Sequence, residues 1–141
     1  MNAMAPTRPT ELQVCRVRLT ASPAAAAEAR GQVRAAIRVW DIPVDPDIAV
    51  LLTSDLVTHA IIHWNSATIT LAVRCSRDQL RVDVYDTSLP LPMAVDEQAI
   101  NETRPGLALV ATLATEWGSF LTFTGKAMYF ALAFQADWLR I

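Results

Sequence analysis

The chain has 141 residues, of which 52% are hydrophobic and 18% are charged, and its formal net charge is -2. This length suits one domain with a sizeable core, and so apolar a composition argues against disorder. The near-neutral charge argues against binding to nucleic acid or to an acidic membrane surface. No apolar run reaches membrane-spanning length and the start lacks a signal-peptide pattern, so we expect a cytoplasmic protein.

The first forty residues predict a tail, a strand and a helix. Residues 1–10 are polar and contain prolines, as in a flexible N-terminal tail. Residues 11–19 alternate as a strand does, with a change of phase near Cys15 that suggests a bulge. An apolar stripe at helical spacing follows Ser22, which predicts a first helix over 23–40 with Ser22 as its cap.

A second helix and a hairpin are predicted next. Asp45 followed by a proline is typical of a helix start, so we expect a helix over 46–64. The stretches ATITLAVRCS and QLRVDVYD then alternate around a turn at Arg77 and Asp78, which predicts two antiparallel strands with one buried face.

The last third of the chain predicts a long loop, a helix and a second hairpin. Residues 87–105 contain three prolines and no periodicity, as expected for a lid or binding loop. GLALVATLATEWG predicts a third helix that ends at Gly118, and the next two apolar stretches predict strands joined by a turn at 124–126. The apolar C-terminal tail, 136–141, either folds back onto the domain or serves a partner surface.

The order of these elements predicts the fold class. Two hairpins imply a mostly antiparallel sheet, because tight turns join antiparallel strands. Three apolar helices are enough to cover one face of that sheet. We therefore expect a two-layer α/β sandwich that forms a single domain over residues 11–135.

Three polar side chains form a column on the otherwise apolar second helix. Asp55, His59 and His63 follow one another at four-residue spacing, so they share one stripe. The helix is apolar nearly all round, which predicts that both of its faces are covered. Burying an acid and two imidazoles is costly unless each finds a partner. The column is therefore a satisfied core network in which Asp55 accepts from His59, a transition-metal site, or a ligand site.

Four stretches resemble one protein family in the right order and spacing: SDLVTHAIIH (54–63), VYDTSLPLP (84–92), RPGLALV (104–110) and GKAMYFAL (125–132). The chain resembles the histidine-kinase-like ATPase superfamily, also called the GHKL or Bergerat-fold superfamily, over roughly residues 12 to 134. Within it, the chain is most similar to the small bacterial anti-sigma-factor serine/threonine kinases. The resemblance implies the Bergerat fold.

The resemblance also implies roles on the second helix and on the strand that follows the hairpin turn. Asp55 is in the position of a catalytic glutamate that orients or deprotonates the attacking hydroxyl. His59 replaces the asparagine whose amide oxygen holds Mg²⁺, and His63 faces the same pocket. Asp86 matches the aspartate that accepts a hydrogen bond from the adenine amino group.

Further positions of the nucleotide pocket follow from the other motifs. Ser88 belongs to the motif that begins at Asp86, and Gly106 with Leu107 belongs to the phosphate-facing glycine motif. Arg104 replaces the glycine before that motif, and its guanidinium offers charged donors for phosphate. Pro105 replaces the usual arginine and removes one backbone N–H from the phosphate cradle.

The resemblance predicts an anti-sigma-factor-like regulator of transcription that binds a sigma factor, an anti-anti-sigma (STAS) partner or both, and that self-associates. The departures at 55, 59 and 104–105 predict a weakened ATP pocket and little or no Mg²⁺ binding, because magnesium prefers oxygen ligands. One alternative is an active ATP-dependent kinase that phosphorylates a STAS-domain antagonist. Another, of a different class, is a metal-binding protein that uses the column, with His59 as a ligand.

Overall fold

The computed structural model of the chain describes residues 13–64, 66–86, 107–123 and 125–135. The predicted tails, 1–10 and 136–141, and the predicted loop, 87–105, lie outside the described residues. The described residues form five strands and three helices, which are β1 (Gln13–Thr20), α1 (Ala25–Val39), α2 (Pro46–His63), β2 (Thr68–Cys75), β3 (Gln79–Asp86), α3 (Ala108–Leu113), β4 (Glu116–Leu121) and β5 (Lys126–Ala133).

The five strands form one sheet in the order β1-β2-β3-β5-β4, and every neighbouring pair is antiparallel. The helices pack on one face of this sheet, so the predicted two-layer α/β sandwich is confirmed. None of the helices that the structure describes is long and apolar enough to cross a membrane.

Alternation along β3 shows how the sequence builds the two faces of the sheet. Leu80, Val82 and Val84 are fully buried beneath the helices. The residues between them, including Arg81 and Asp83, point to the opposite face because successive strand side chains alternate. The face without helices is called the open face below.

The helix starts follow from local chemistry. The Asp45 side chain accepts a hydrogen bond from the Asp47 backbone N–H at 2.9 Å and caps α2, as predicted. Ser22 does not cap α1 directly, because the helix begins at Ala25 and its N-cap is Ala24. The Ser22 hydroxyl instead accepts from the Ala24 N–H at 3.2 Å, which shapes the turn before the helix.

Helix α2 is covered on one face rather than on both, which corrects the prediction. Its buried face packs against α1 and the sheet and includes Leu52, Leu56 and Val57. On the other side, Leu51 is 40% exposed and Ile62 is 67% exposed. The reason is geometric, since these two residues lie on the stripe that points away from both α1 and the sheet.

Two further predictions of local structure were wrong. Strand β1 pairs with β2 in unbroken register from Gln13 to Thr20, so it has no bulge near Cys15. The change of phase reflects Val14, an apolar residue that is 43% exposed. The third helix ends at Leu113, and Gly118 lies inside β4, where its missing side chain leaves space for the Tyr129 ring.

Candidate functional site

The three side chains of the column on α2 differ in burial. Asp55 is half-buried, and burial raises the pKa of its carboxyl group because desolvation disfavours the charged form. His59 is 5% exposed, whereas His63 is exposed at the end of the helix. The two imidazole ring centroids are 4.4 Å apart with the planes tilted by 36°. The spacing predicted from the sequence therefore does bring the two rings together.

The column is also the predicted metal site, and it offers few atoms that could bind a metal ion. Among the residues that the structure describes, no group of three His, Cys, Asp or Glu side chains is arranged to hold a metal ion. At the position to which the resemblance assigns Mg²⁺, His59 supplies an imidazole nitrogen, and magnesium prefers oxygen. The described residues of the column therefore do not fit magnesium.

Among the predicted pocket residues that the structure describes, Asp86 is the most deeply buried, and it forms an ion pair with a lysine. Its carboxylate is 1% exposed and ends β3 on the helix side of the sheet. Tyr85 pairs with Ala127, so the next residue along β3 is opposite Lys126, the first residue of β5. The Lys126 amine lies 3.0 Å from Asp86 Oδ2 and donates a hydrogen bond to it.

A tryptophan next to α2 completes this contact. Trp64 follows the last residue of the helix and is 5% exposed. The Lys126 Nζ atom lies 5.4 Å from the centroid of the Trp64 ring, within cation–π range. Lys126 is itself only 15% exposed, so its amine is held between a carboxylate and an aromatic face.

The Lys126 contact bears on how an adenine base could bind at this position. The Asp86 carboxylate accepts hydrogen bonds through two oxygens, and Lys126 already donates to one of them, Oδ2. An adenine amino group that approaches Oδ2 must therefore compete with a charge-assisted hydrogen bond inside a buried site. Lys126 was predicted to lie in a turn, and this was wrong because β5 begins at that residue.

The remaining predicted pocket residues fall in two groups. The side chain of Leu107 is 2% exposed and belongs to the hydrophobic core just before α3. Ser88, Arg104 and Gly106 lie outside the described residues.

A second polar cluster lies on the open face, and it was not predicted from the sequence. Asp83 is fully buried, and its two carboxylate oxygens contact two arginines. Arg81 Nε donates to Oδ1 at 2.8 Å, and Arg74 Nε lies 3.1 Å from Oδ2 as an ion pair without hydrogen-bond geometry. Arg74 also donates to the Tyr85 hydroxyl at 3.0 Å. The sequence feature that could have indicated this cluster is the pair of opposite charges at 81 and 83, which alternate with the apolar residues of β3.

The chain is similar to a known protein in its fold and not in its sequence. No family model matches the sequence, and no curated protein matches it. Among solved structures, the chain is similar to the crystal structure of the RsbU and RsbW domains of Rv1364c from Mycobacterium tuberculosis, with a TM-score of 0.63 and 19% sequence identity. The match covers 88% of this chain and 34% of that one. The chain therefore has an RsbW-like fold, which fits the resemblance to the GHKL superfamily.

Proposed function

We propose that this protein is an anti-sigma-factor-like regulator of transcription that acts in the cytoplasm by binding a sigma factor, a STAS-domain antagonist or both. Two observations support this role. One is the fold shared with a structure that contains an RsbW domain, since RsbW is a GHKL-type anti-sigma factor kinase. The other is the motif order that led to the same family from the sequence alone. Partner binding is the part of that role which needs no intact nucleotide pocket.

The observation that carries the weak-pocket part of the proposal is the contact between Lys126 and Asp86. The carboxylate that the resemblance assigns to adenine recognition is buried, and the protein's own amine donates to it at 3.0 Å. Buried ion pairs of this kind resist separation, because each charge left alone in the core is strongly destabilising. Together with an imidazole at the magnesium position, this contact supports a pocket with weak nucleotide binding and little or no phosphate transfer.

The test is complex formation with candidate partners. The full chain is mixed in turn with each sigma factor and each STAS protein of the source organism, and the mass of the complex is measured by light scattering after gel filtration. We expect a stable complex with at least one of them, formed equally well with and without Mg-ATP. No complex with any candidate, or a complex that requires Mg-ATP, would contradict the proposal.

Phosphate transfer distinguishes this role from that of an active kinase. The same mixtures are incubated with ATP labelled on the γ-phosphate, and the label on the STAS protein is counted. We expect far less than one phosphate per STAS molecule. Stoichiometric labelling that disappears in Asp55→Ala would instead identify an active kinase in which Asp55 has the catalytic role.

A further inference from the structure

The open face carries an excess of positive charge, although the whole chain has a net charge of -2. Arg16 and Arg18 on β1 pair with Ala72 and Thr70, and Ala72 pairs with Asp83. Directly paired residues point to the same side of a sheet, so both β1 arginines share the open face with the Asp83 cluster. Among the residues that the structure describes, the charged side chains of this face belong to four arginines (16, 18, 74 and 81) and two acids (83 and 116).

Arg74 and Arg81 are directly opposite each other in the register of β2 and β3. Two like charges in this position repel each other, and here they are held in place by the single buried carboxylate of Asp83. Both arginines use their Nε atoms toward Asp83. No described residue accepts a hydrogen bond from the Nη atoms of Arg81, so its outer donors remain available to an anion.

The two guanidinium groups line a cleft of about 410 Å³. Ser76, Gln79, Tyr85 and Phe120 form the rest of its wall, so the cleft combines positive charge, uncharged polar groups and two aromatic rings. Arginine forks of this kind bind carboxylates in a bidentate manner, and aromatic walls exclude water from the contact.

We propose that the open face is the docking surface for an acidic segment of a partner protein, with a carboxylate of that segment bound between Arg74 and Arg81. The four arginines spread over three adjacent strands, β1, β2 and β3, a width of roughly 10 Å at normal strand spacing. One small carboxylate cannot reach across that width. An acidic peptide segment places several carboxylates along it.

Two other occupants fit the face less well. A second copy of this chain would bring two faces with an excess of positive charge against each other, which is unfavourable. Single-stranded nucleic acid needs aromatic faces for stacking, but the Arg81 guanidinium already covers the Tyr129 ring at 4.0 Å. The Tyr85 and Phe120 rings meet edge to face at 88°, so they do not form two parallel platforms for successive bases.

This inference deepens the proposed function, since it rests on the existence of a protein partner and says which surface of the chain holds it. In the test, an end-capped octaglutamate peptide is titrated into the full ¹⁵N-labelled chain at low salt, and the chemical shifts of the chain are measured by NMR. We expect saturable shifts of the Arg74 and Arg81 Nε–H signals and of the backbone around Tyr85 and Phe120. Saturable shifts confined to other surfaces, or none, would overturn the proposal.

Matched charge variants show whether binding belongs to this face. Arg16→Gln with Arg18→Gln removes two exposed charges from the open face and leaves the Asp83 cluster intact. The control, Arg34→Gln with Arg38→Gln, removes two exposed charges from α1 on the other side of the protein. We expect the Kd of the peptide to rise about fivefold in the first variant and to stay within about twofold in the second. Equal weakening in both would overturn the proposal.

Two further titrations separate the possible sources of the anion. Glutamate monomer at the same carboxylate concentration is expected to give no saturable shifts, and shifts that match those of the peptide would indicate a small-molecule site instead. Oligouridine that binds the same residues more tightly than the peptide would indicate nucleic acid. The peptide titration needs neither nucleotide nor a cognate partner, so it tests the docking surface alone. The light-scattering experiment tests partner binding, and either result can fail without the other.

Discussion

The Lys126 amine and the Asp86 carboxylate form an ion pair at 3.0 Å on the helix side of the sheet. Lys126 is also the residue that contacts Trp64, so the pair connects the start of β5 to the end of α2. Both side chains are shielded from solvent, and screening by salt is weak at such sites. The contact therefore lies at the edge of the core where the resemblance predicts a base-binding pocket.

Lys126→Met tests what this pair contributes to folding. Methionine keeps most of the apolar stem but removes the amine, which leaves a buried carboxylate without its cation. We expect the free energy of unfolding to fall by about 3 kcal/mol. Urea denaturation measures this loss. The double variant with Asp86→Asn should lose less than the sum of the two single changes, and strict additivity would show that the pair does not interact.

Asp83→Asn tests the open-face cluster. The change removes the negative charge that is paired with both Arg74 and Arg81, so two like charges then face each other without compensation. We expect a loss of about 3 kcal/mol in the free energy of unfolding, measured with urea. Asp78→Asn is the control, because Asp78 is exposed in the same hairpin, and it should change stability by less than about 0.5 kcal/mol. A stable Asp83→Asn protein would contradict the role assigned to the cluster.

Asp45→Ala tests the cap of the helix that carries the column. Alanine cannot accept the hydrogen bond from the Asp47 N–H, so we expect a loss of about 1 kcal/mol. Asp45→Asn keeps an accepting side-chain oxygen and should be nearly neutral. Thermal unfolding of both variants checks the prediction, and equal losses would show that the cap bond is not the cause.

Asp55 should make stability depend on pH. Burial raises the pKa of this carboxyl group in the folded state above its ordinary value of 3.8. The folded protein then binds more protons than the unfolded chain between 3.8 and the raised pKa, so Asp55 lowers the free energy of unfolding as pH rises through that window. We expect Asp55→Asn to equal the wild type below this window and to be more stable above it.

Urea unfolding from pH 3 to pH 7 measures the difference between the two proteins. A constant difference between Asp55→Asn and wild type at every pH would contradict the prediction.

The fold was predictable where the sequence pattern repeats over many residues. Both hairpins follow from alternation, which in β3 places Leu80, Val82 and Val84 on one face. The start of α2 follows from Asp45 and the proline after it, because that pair has a specific hydrogen-bonding role. These signals are local, so they can be interpreted without knowing what packs against them.

The missed features depend on contacts between distant parts of the chain. Gly118 is typical of a helix end, and only the position of Tyr129 on the next strand explains why it lies in β4. Lys126 was assigned to a turn because its partner, Asp86, is forty residues away. The Arg74 and Arg81 pair likewise needs the register of two strands before their closeness can be recognised.

Calorimetric titration with ADP and ATP, each with and without Mg²⁺, tests most directly whether the Lys126–Asp86 contact weakens nucleotide binding. The wild-type chain, Lys126→Met and Asp86→Asn are compared. We predict no micromolar binding to the wild type and at least about tenfold tighter ADP binding to Lys126→Met, because the carboxylate is then open to the base. Micromolar, Mg²⁺-dependent binding to the wild type that disappears in Asp86→Asn would show that the pocket works despite the lysine.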